Sequence, residues 1–287
     1  MQKGGEKKEV RPPQKQSKPG IEEKMNPEPV VEREPSTGKK LQNKVALITG
    51  ADSGIGKAVA ILFAQQGADI AVVYFSEDED AQDTKKTVEK YGRKCLLLKG
   101  NLRKEAFCKK AIESTVKQLG KIDILVNNAA TQTTQKSLTD ISTNQLYETF
   151  ETNFFSMFWM TKYALPYLKK GSAIINTTSV TAYRGSPGLL DYSSTKGAIT
   201  SFTRSLSANL VDKGIRVNGV APGPIWTPLI VSSMKNEEVA KFGTDSPMKR
   251  AGQPVEVASC YLFLACEDAS YMTGQILHPN GGEIVNG

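Results

Sequence analysis

From Lys44 onward the chain alternates short apolar runs with amphipathic stretches, and nothing else in it limits the fold so strongly. Lys44–Thr49, Asp69–Tyr74, Lys94–Lys99, Ile122–Asn127, Ser172–Thr178, Ile215–Ala221 and Gln275–His278 read as strands. Their apolar character predicts strands buried on both faces, which is the habit of a parallel sheet. Gly54–Gln66, Asp78–Tyr91, Lys104–Leu119, Asn144–Leu168, Asp191–Lys213 and Pro254–Ala265 read as the helices between them. The pattern predicts an α/β fold, a single-domain doubly wound parallel sheet of Rossmann type with helices on both faces.

That domain is expected over residues 41–287, preceded by an arm at 1–40. The arm is rich in Lys, Glu, Gln and Pro, with six of the fourteen prolines. Such a segment buries too little apolar surface to offset its ordering entropy, so it is expected to be extended or disordered. Local docking could use Ile21, Met25, Val30 and Val31. From Met1 to Lys44 there are eleven Lys/Arg and seven Asp/Glu, so +4 of the net +7 lies in this segment. The remaining +3 gives the domain no visible basic face, so no nucleic-acid partner is expected.

Other classes fall away on simple counts. No run of about 18 apolar residues is present, so no membrane-spanning helix is expected. The N-terminus lacks the apolar h-region of a signal peptide, and its glutamates argue against a transit peptide. The four cysteines form no CxxC pair, which suits reduced thiols and a cytoplasmic location. The lone histidine, His278, cannot form a multi-histidine zinc site, and near the C-terminus it reads as structural and not as the base of a Ser-His-Asp triad. No metal site is expected.

The first strand runs directly into Thr49-Gly50-Ala51-Asp52-Ser53-Gly54-Ile55-Gly56. Gly50 permits the tight turn, while Gly54 and Gly56 allow close approach of backbone and helix to a pyrophosphate. Asp52, Ser53 and Ile55 complete the loop, and the helix N-terminus offers unpaired N–H groups to phosphates. The second strand ends in Tyr74-Phe75-Ser76-Glu77-Asp78-Glu79-Asp80. No Arg or Lys lies in this stretch to neutralise a ribose 2′-phosphate, and its four carboxylates would repel one, so NAD is favoured over NADP. The same acids would also suit a helix N-terminus.

Tyr192 and Lys196 are four residues apart on an expected helix and share one face. A free phenol titrates near pH 10, too high for a useful base. A neighbouring ammonium and a positive nicotinamide ring are expected to lower that value. Ser179 follows a buried strand at the sheet edge where this fold binds ligands. Its hydroxyl could orient a carbonyl while Tyr192 transfers the proton.

Taken together, these motifs resemble those of the short-chain dehydrogenase/reductase family, over roughly residues 41–287. The resemblance rests on Thr49–Gly56, Asn127-Asn128-Ala129-Ala130, Asn153, Ser179, Tyr192 with Lys196, and Pro222-Gly223. It implies a Ser179–Tyr192–Lys196 triad, with Asn153 holding a water that relays protons through Lys196. It also implies a cofactor site extending over Asn101, Leu102, Asn128, Ala129, Pro222, Gly223, Ile225 and Thr227. Ala130 stands where the family usually has glycine, and Asn101 where it usually has aspartate. The arm, through Lys18-Pro19-Gly20 and Met25-Asn26-Pro27, is similar to that of bacterial general-stress-protein-like oxidoreductases.

The substrate is expected to be a small carbonyl or alcohol, walled by Ala129–Thr134, Val180–Leu190 and a lid at about Leu229–Arg250. Tyr183 and Trp226 are candidate contacts, and equally candidates for plain packing. Small aldehydes, ketones, sugars and steroid-like rings all suit these stretches. A 3-oxoacyl-carrier-protein-type reductase, with Lys169 and Lys170 toward an acidic carrier, is a rival reading. A non-catalytic NAD-binding sensor or scaffold is another. The family habit implies a homotetramer.

Overall fold

The computed structural model describes residues 12, 14, 15, 22–27, 29, 38–234 and 236–285. Residues 39–287 form one unit and 1–38 another. Within the smaller unit, a short 3₁₀ turn spans Glu22–Lys24, the Gln14 side chain bonds the Asn26 backbone, and Met25 is exposed. Ile21, Val30 and Val31, named above for docking, lie outside the described residues.

The domain is built on seven strands: β1 (Val45–Thr49), β2 (Asp69–Tyr74), β3 (Cys95–Lys99), β4 (Ile124–Asn127), β5 (Ala173–Thr177), β6 (Arg216–Val220) and β7 (Ile276–Leu277). All pair in parallel, in the order β3-β2-β1-β4-β5-β6-β7. This is the doubly wound order expected from the alternation, with its topological switch between β1 and β4. Side chains alternate along each strand, so the sheet feeds two cores. Ala46 and Ile48 pack on one face beneath α1 (Gly54–Gln65), together with Phe63 and Tyr261. Leu47 packs on the other with Ile112 and Met160.

The remaining helices are α2 (Asp78–Lys90), α3 (Glu105–Leu119), α4 (Thr143–Phe150), α5 (Ser156–Ala164), α6 (Thr181–Arg184), α7 (Leu190–Leu210), α8 (Pro228–Ser233), α9 (Asn236–Val239) and α10 (Pro254–Ala265). The long helix expected over Asn144–Leu168 is interrupted by a π turn at Glu151–Phe155. Such a turn accommodates an extra residue that apolar periodicity does not register. Its end comes early, at Ala164, because Pro166 has no N–H to continue the helical ladder, although Leu165 before it keeps helical dihedrals (φ −50°, ψ −41°). The last strand shrinks to two residues.

Candidate active site

The carboxyl ends of β1, β4, β5 and β6 open into one cavity of about 1460 Å³. Ligand clefts for small molecules typically measure about 300–1,000 Å³, so this one has room for a dinucleotide and a substrate together.

One end of the cavity is the glycine-rich turn. Gly50 (φ +62°) and Gly54 (φ +53°) adopt left-handed backbone that side chains disfavour. Gly56 has a different reason to be glycine. A Cβ there would lie 2.0 Å from the Gly50 carbonyl oxygen and 2.7 Å from Asn128 Nδ2, so the first turn of α1 rests directly on the loop. Ser53 occupies the N-cap position of α1 without capping it, and its hydroxyl bonds Asp52 instead. The N–H groups of that turn therefore have no side-chain cap and remain available to an anion. Asn128 fixes the loop from β4, donating through Nδ2 to the carbonyls of Thr49 (3.1 Å) and Gly50 (3.0 Å). These features fit a dinucleotide pyrophosphate.

At the end of β2 the fold alters the sequence reading. Glu77, Asp80 and Asp52 line the cavity as expected, and burial raises the Asp52 carboxyl above its usual range. The stretch itself lacks cations, but the adjacent β3 brings Lys99 to Asp78, which also accepts from the Tyr74 hydroxyl. Arg103 reaches the cavity too, held by Glu151 and Glu148. The expectation that no Lys or Arg stands nearby is thus corrected: strand neighbours supply cations that linear distance concealed.

The other end holds the acid/base candidates. Ser179, Tyr192 and Lys196 all line the cavity. Lys196 is 1% exposed and donates through Nζ to the Thr177 carbonyl at 2.9 Å. Its ammonium lies 5.3 Å from the centre of the Tyr192 ring. Burial pushes the Lys196 amine down to about 7. Burial also pushes the Tyr192 phenol up to about 12, opposed by its hydrogen bond with Ser179. The expected acidification of Tyr192 by Lys196 is therefore reversed among the protein's own groups. Desolvation disfavours both charged forms, and a half-protonated amine is a weak partner for a phenolate.

The structure brings nearly all the other named residues to this cavity: Gly50, Asp52, Ser53, Gly54, Ile55, Tyr74, Phe75, Asn101, Leu102, Ala129, Asn128, Pro222, Gly223, Ile225 and Thr227. Gly56 packs behind the loop, and Ser76 is exposed beside it. Asn153 sits apart from the cavity wall, in the π turn. It donates through Nδ2 to Thr131 O (2.9 Å) and Thr195 Oγ1 (3.1 Å), and its Oδ1 accepts from Thr131 N (2.7 Å). Its amide is fully engaged in bracing the wall.

Tyr183 and Trp226, named as candidate substrate contacts, do not line the cavity. Tyr183 packs edge-on against His278, 4.7 Å between centroids, and Trp226 faces outward. Gln132 and Arg184 lie in the stretches expected to wall the pocket, but their partners were not visible in sequence. Gln132 is buried and bonds Ser233 of α8. Arg184 pairs with Glu283 at 2.7 Å, which brings the chain's C-terminal segment to the cavity. No spacing rule connects positions a hundred residues apart, so only the fold reveals them. No group of acidic, histidine or cysteine side chains suited to a metal is found among the described residues.

Comparison with known proteins adds three kinds of likeness. Residues 50–283 match the family model described as enoyl-(acyl carrier protein) reductase. The chain is 59% identical to general stress protein 39 of Bacillus subtilis, over 96% of each chain. It is 50% identical to a glucose and ribitol dehydrogenase of Daucus carota, covering 96% of this chain and 98% of that one. It is 51% identical to the chloroplastic NADPH-dependent aldehyde reductase 1 of Arabidopsis thaliana, covering 86% and 88%. Among solved structures, a short-chain dehydrogenase from Burkholderia cenocepacia in complex with NADP superposes with a TM-score of 0.80 at 28% identity, covering 85% and 98%.

Proposed function

Since the chain belongs to the short-chain dehydrogenase/reductase family of NAD(P)-dependent oxidoreductases, we propose that it interconverts an alcohol with an aldehyde or ketone, with Tyr192 as the acid/base. The observation that carries this reading is the convergence of Ser179, Tyr192 and Lys196 on one cavity that also contains the glycine-rich turn.

A bound nicotinamide supplies the hydride in reduction and accepts it in oxidation. The protein's groups manage the oxygen. Ser179 would hold the carbonyl oxygen by hydrogen bonding, and the Tyr192 phenol would give that oxygen its proton. A phenol kept protonated by burial is in the form needed to donate during reduction. In oxidation the same phenol must first lose its proton. Lys196 in its ammonium form makes that loss easier, and its pKa of about 7 leaves it able to switch form near neutrality. Asn153 braces Thr131 and the turn of α7 behind Tyr192.

For the cofactor, the carboxylates of Glu77 and Asp80 on the cavity wall oppose a 2′-phosphate and favour NAD. Lys99 offsets them only in part, because it is already paired with Asp78. The relatives named for NADP or NADPH make a direct comparison of the two cofactors necessary. The substrate is a small carbonyl or alcohol, and aldehydes and polyols are the first classes to try on the strength of the relatives' names. A homotetramer is the assembly we expect. Leu146, Tyr147, Phe155 and Phe158 support it, since they expose a broad apolar face along α4, the π turn and α5.

The decisive experiment follows oxidation of NADH and NADPH with an aldehyde and ketone panel, beside Tyr192→Phe. A loss of 10²- to 10⁴-fold in kcat, with cofactor affinity kept, is the expected result. Undiminished turnover in Tyr192→Phe would remove the assignment.

A further inference from the structure

The first turn of α7, which carries Tyr192, starts without an ordinary cap. Leu189 stands at the N-cap position and has no side-chain oxygen to offer the exposed N–H groups. The sequence provides a substitute one residue before the tyrosine. Asp191 folds back, and its Oδ1 accepts from the Tyr192 N–H at 2.9 Å. A carboxylate in the first turn also suits the helix dipole.

The second carboxylate oxygen reaches another element. Asp191 Oδ2 accepts from Thr149 Oγ1 at 2.8 Å and from Gln145 Nε2 at 3.0 Å, both on α4. Asp191 is 3% exposed and Thr149 1%, so the bond between them is shielded from solvent. The network then continues to the loop after β4. Gln145 Oε1 accepts from Gln135 Nε2 at 2.7 Å, and Gln135 N donates to the Gly188 carbonyl at 3.0 Å. Gln135 belongs to the loop that follows β4, and Gly188 to the segment that leads into α7. Closed by the backbone from Gly188 to Asp191, these bonds tie the Tyr192 backbone to α4 and to the loop after β4.

We infer that Asp191 is a positioning residue for Tyr192: a buried carboxylate that sets where the phenol stands and makes that placement depend on α4 and the loop after β4. Proton transfer demands this, because a displacement of about 1 Å between reacting groups costs on the order of 10²-fold in rate. The inference rests on Tyr192 being the acid/base, and its test separates the two claims.

In Asp191→Asn one oxygen becomes an NH₂, which faces the Gln145 NH₂. Gln145→Glu alone sets two carboxylates against each other. Combined, the two changes restore complementarity, since the amide of Asp191→Asn donates to the carboxylate of Gln145→Glu. That carboxylate still accepts from Gln135. With NADPH or NADH and the best aldehyde of the panel, each single variant is expected to lose about 10- to 100-fold in kcat. KM and cofactor Kd should change less than about threefold. The double variant should recover most of the lost kcat.

Melting temperatures are measured alongside, and the rescue must exceed what any change in folded fraction explains. Single variants that keep kcat within twofold, or a double variant no better than the worse single, would overturn the inference. So would losses that follow melting temperature alone. If Tyr192→Phe retains turnover, the acid/base assignment fails and takes this inference with it. If Tyr192→Phe is inactive while Asp191→Asn is fully active, only the positioning role fails.

Discussion

Lys196 lies with its Nζ 5.3 Å from the centre of the Tyr192 ring and spends one of its hydrogen bonds on the Thr177 carbonyl. The two side chains are one helical turn apart on α7, and both are moved toward their neutral forms by burial, to about 7 for the amine and about 12 for the phenol. The pair thus stores a proton between two reluctant ions, and its titration should be measurable in the stability of the fold.

Lys196 titrates near 7 when folded and near 10.5 when unfolded. Between those values the unfolded chain holds more protons, so stability should rise with pH there. The rise from this group is bounded by about 1.4 kcal/mol per pH unit. Its effect is absent below about pH 7 and complete above about pH 10.5. Tyr192 acts in the opposite sense only above about pH 10. Urea unfolding at about pH 7 and about pH 9 should show the gain in the parent and a much smaller one in Lys196→Met. Equal gains in both proteins would refute the assignment.

Gly56→Ala should fold poorly and bind dinucleotide weakly. The new Cβ meets backbone, 2.0 Å from the Gly50 carbonyl, so neither side can yield without moving the loop. Overpacking of this kind costs roughly 1–3 kcal/mol. Fluorescence titration with NADH should give at least a tenfold rise in Kd among molecules that remain folded. A variant with parental affinity would show that the α1 N-terminus does not hold the pyrophosphate.

Cofactor choice should respond to charge at the end of β2. The parent is expected to have the higher kcat/KM with NAD(H). Ser76→Arg combined with Glu77→Gln removes one repelling carboxylate and adds a guanidinium suited to a 2′-phosphate. The ratio of the two kcat/KM values should move at least about tenfold toward NADP(H). A parent that already prefers NADP(H) by that margin would overturn the NAD preference.

The exposed aromatic face of α5 should be covered by another copy of the chain. Light scattering of the parent should report a mass near four chains. Phe158→Asp, at a position 47% exposed in the single chain, should lower that mass without unfolding the protein. A monomeric parent would dispose of the tetramer.

Strand–helix alternation was legible from residue 44 to the C-terminus because the inner strands are buried on both faces, which forces unbroken apolar runs, while the edge strands β3 and β7 are only partly buried. Thr49–Gly56 was legible for the same local reason: strand, turn and helix follow one another within a dozen residues. Tyr192 and Lys196 were paired correctly because four residues make one turn of helix. The π turn at Glu151–Phe155 was not legible, since one extra residue leaves apolar spacing almost unchanged. Tyr183, left open in sequence between substrate contact and packing, packs: its ring on α6 turns toward His278 instead of the cavity.

By itself, then, the sequence determined the parallel sheet, the nucleotide turn and the helix bearing the tyrosine, each through interactions between residues close along the chain. Only the tertiary structure decided that Lys99 reaches Asp78, that Glu283 closes on Arg184, and that Asp191 joins α7 to α4. It also decided that burial outweighs the Ser179 hydrogen bond in setting the state of the phenol. Desolvation and long-range hydrogen bonds depend on what surrounds a group in space, and that environment is assembled from segments whose separation along the chain carries no record of their meeting.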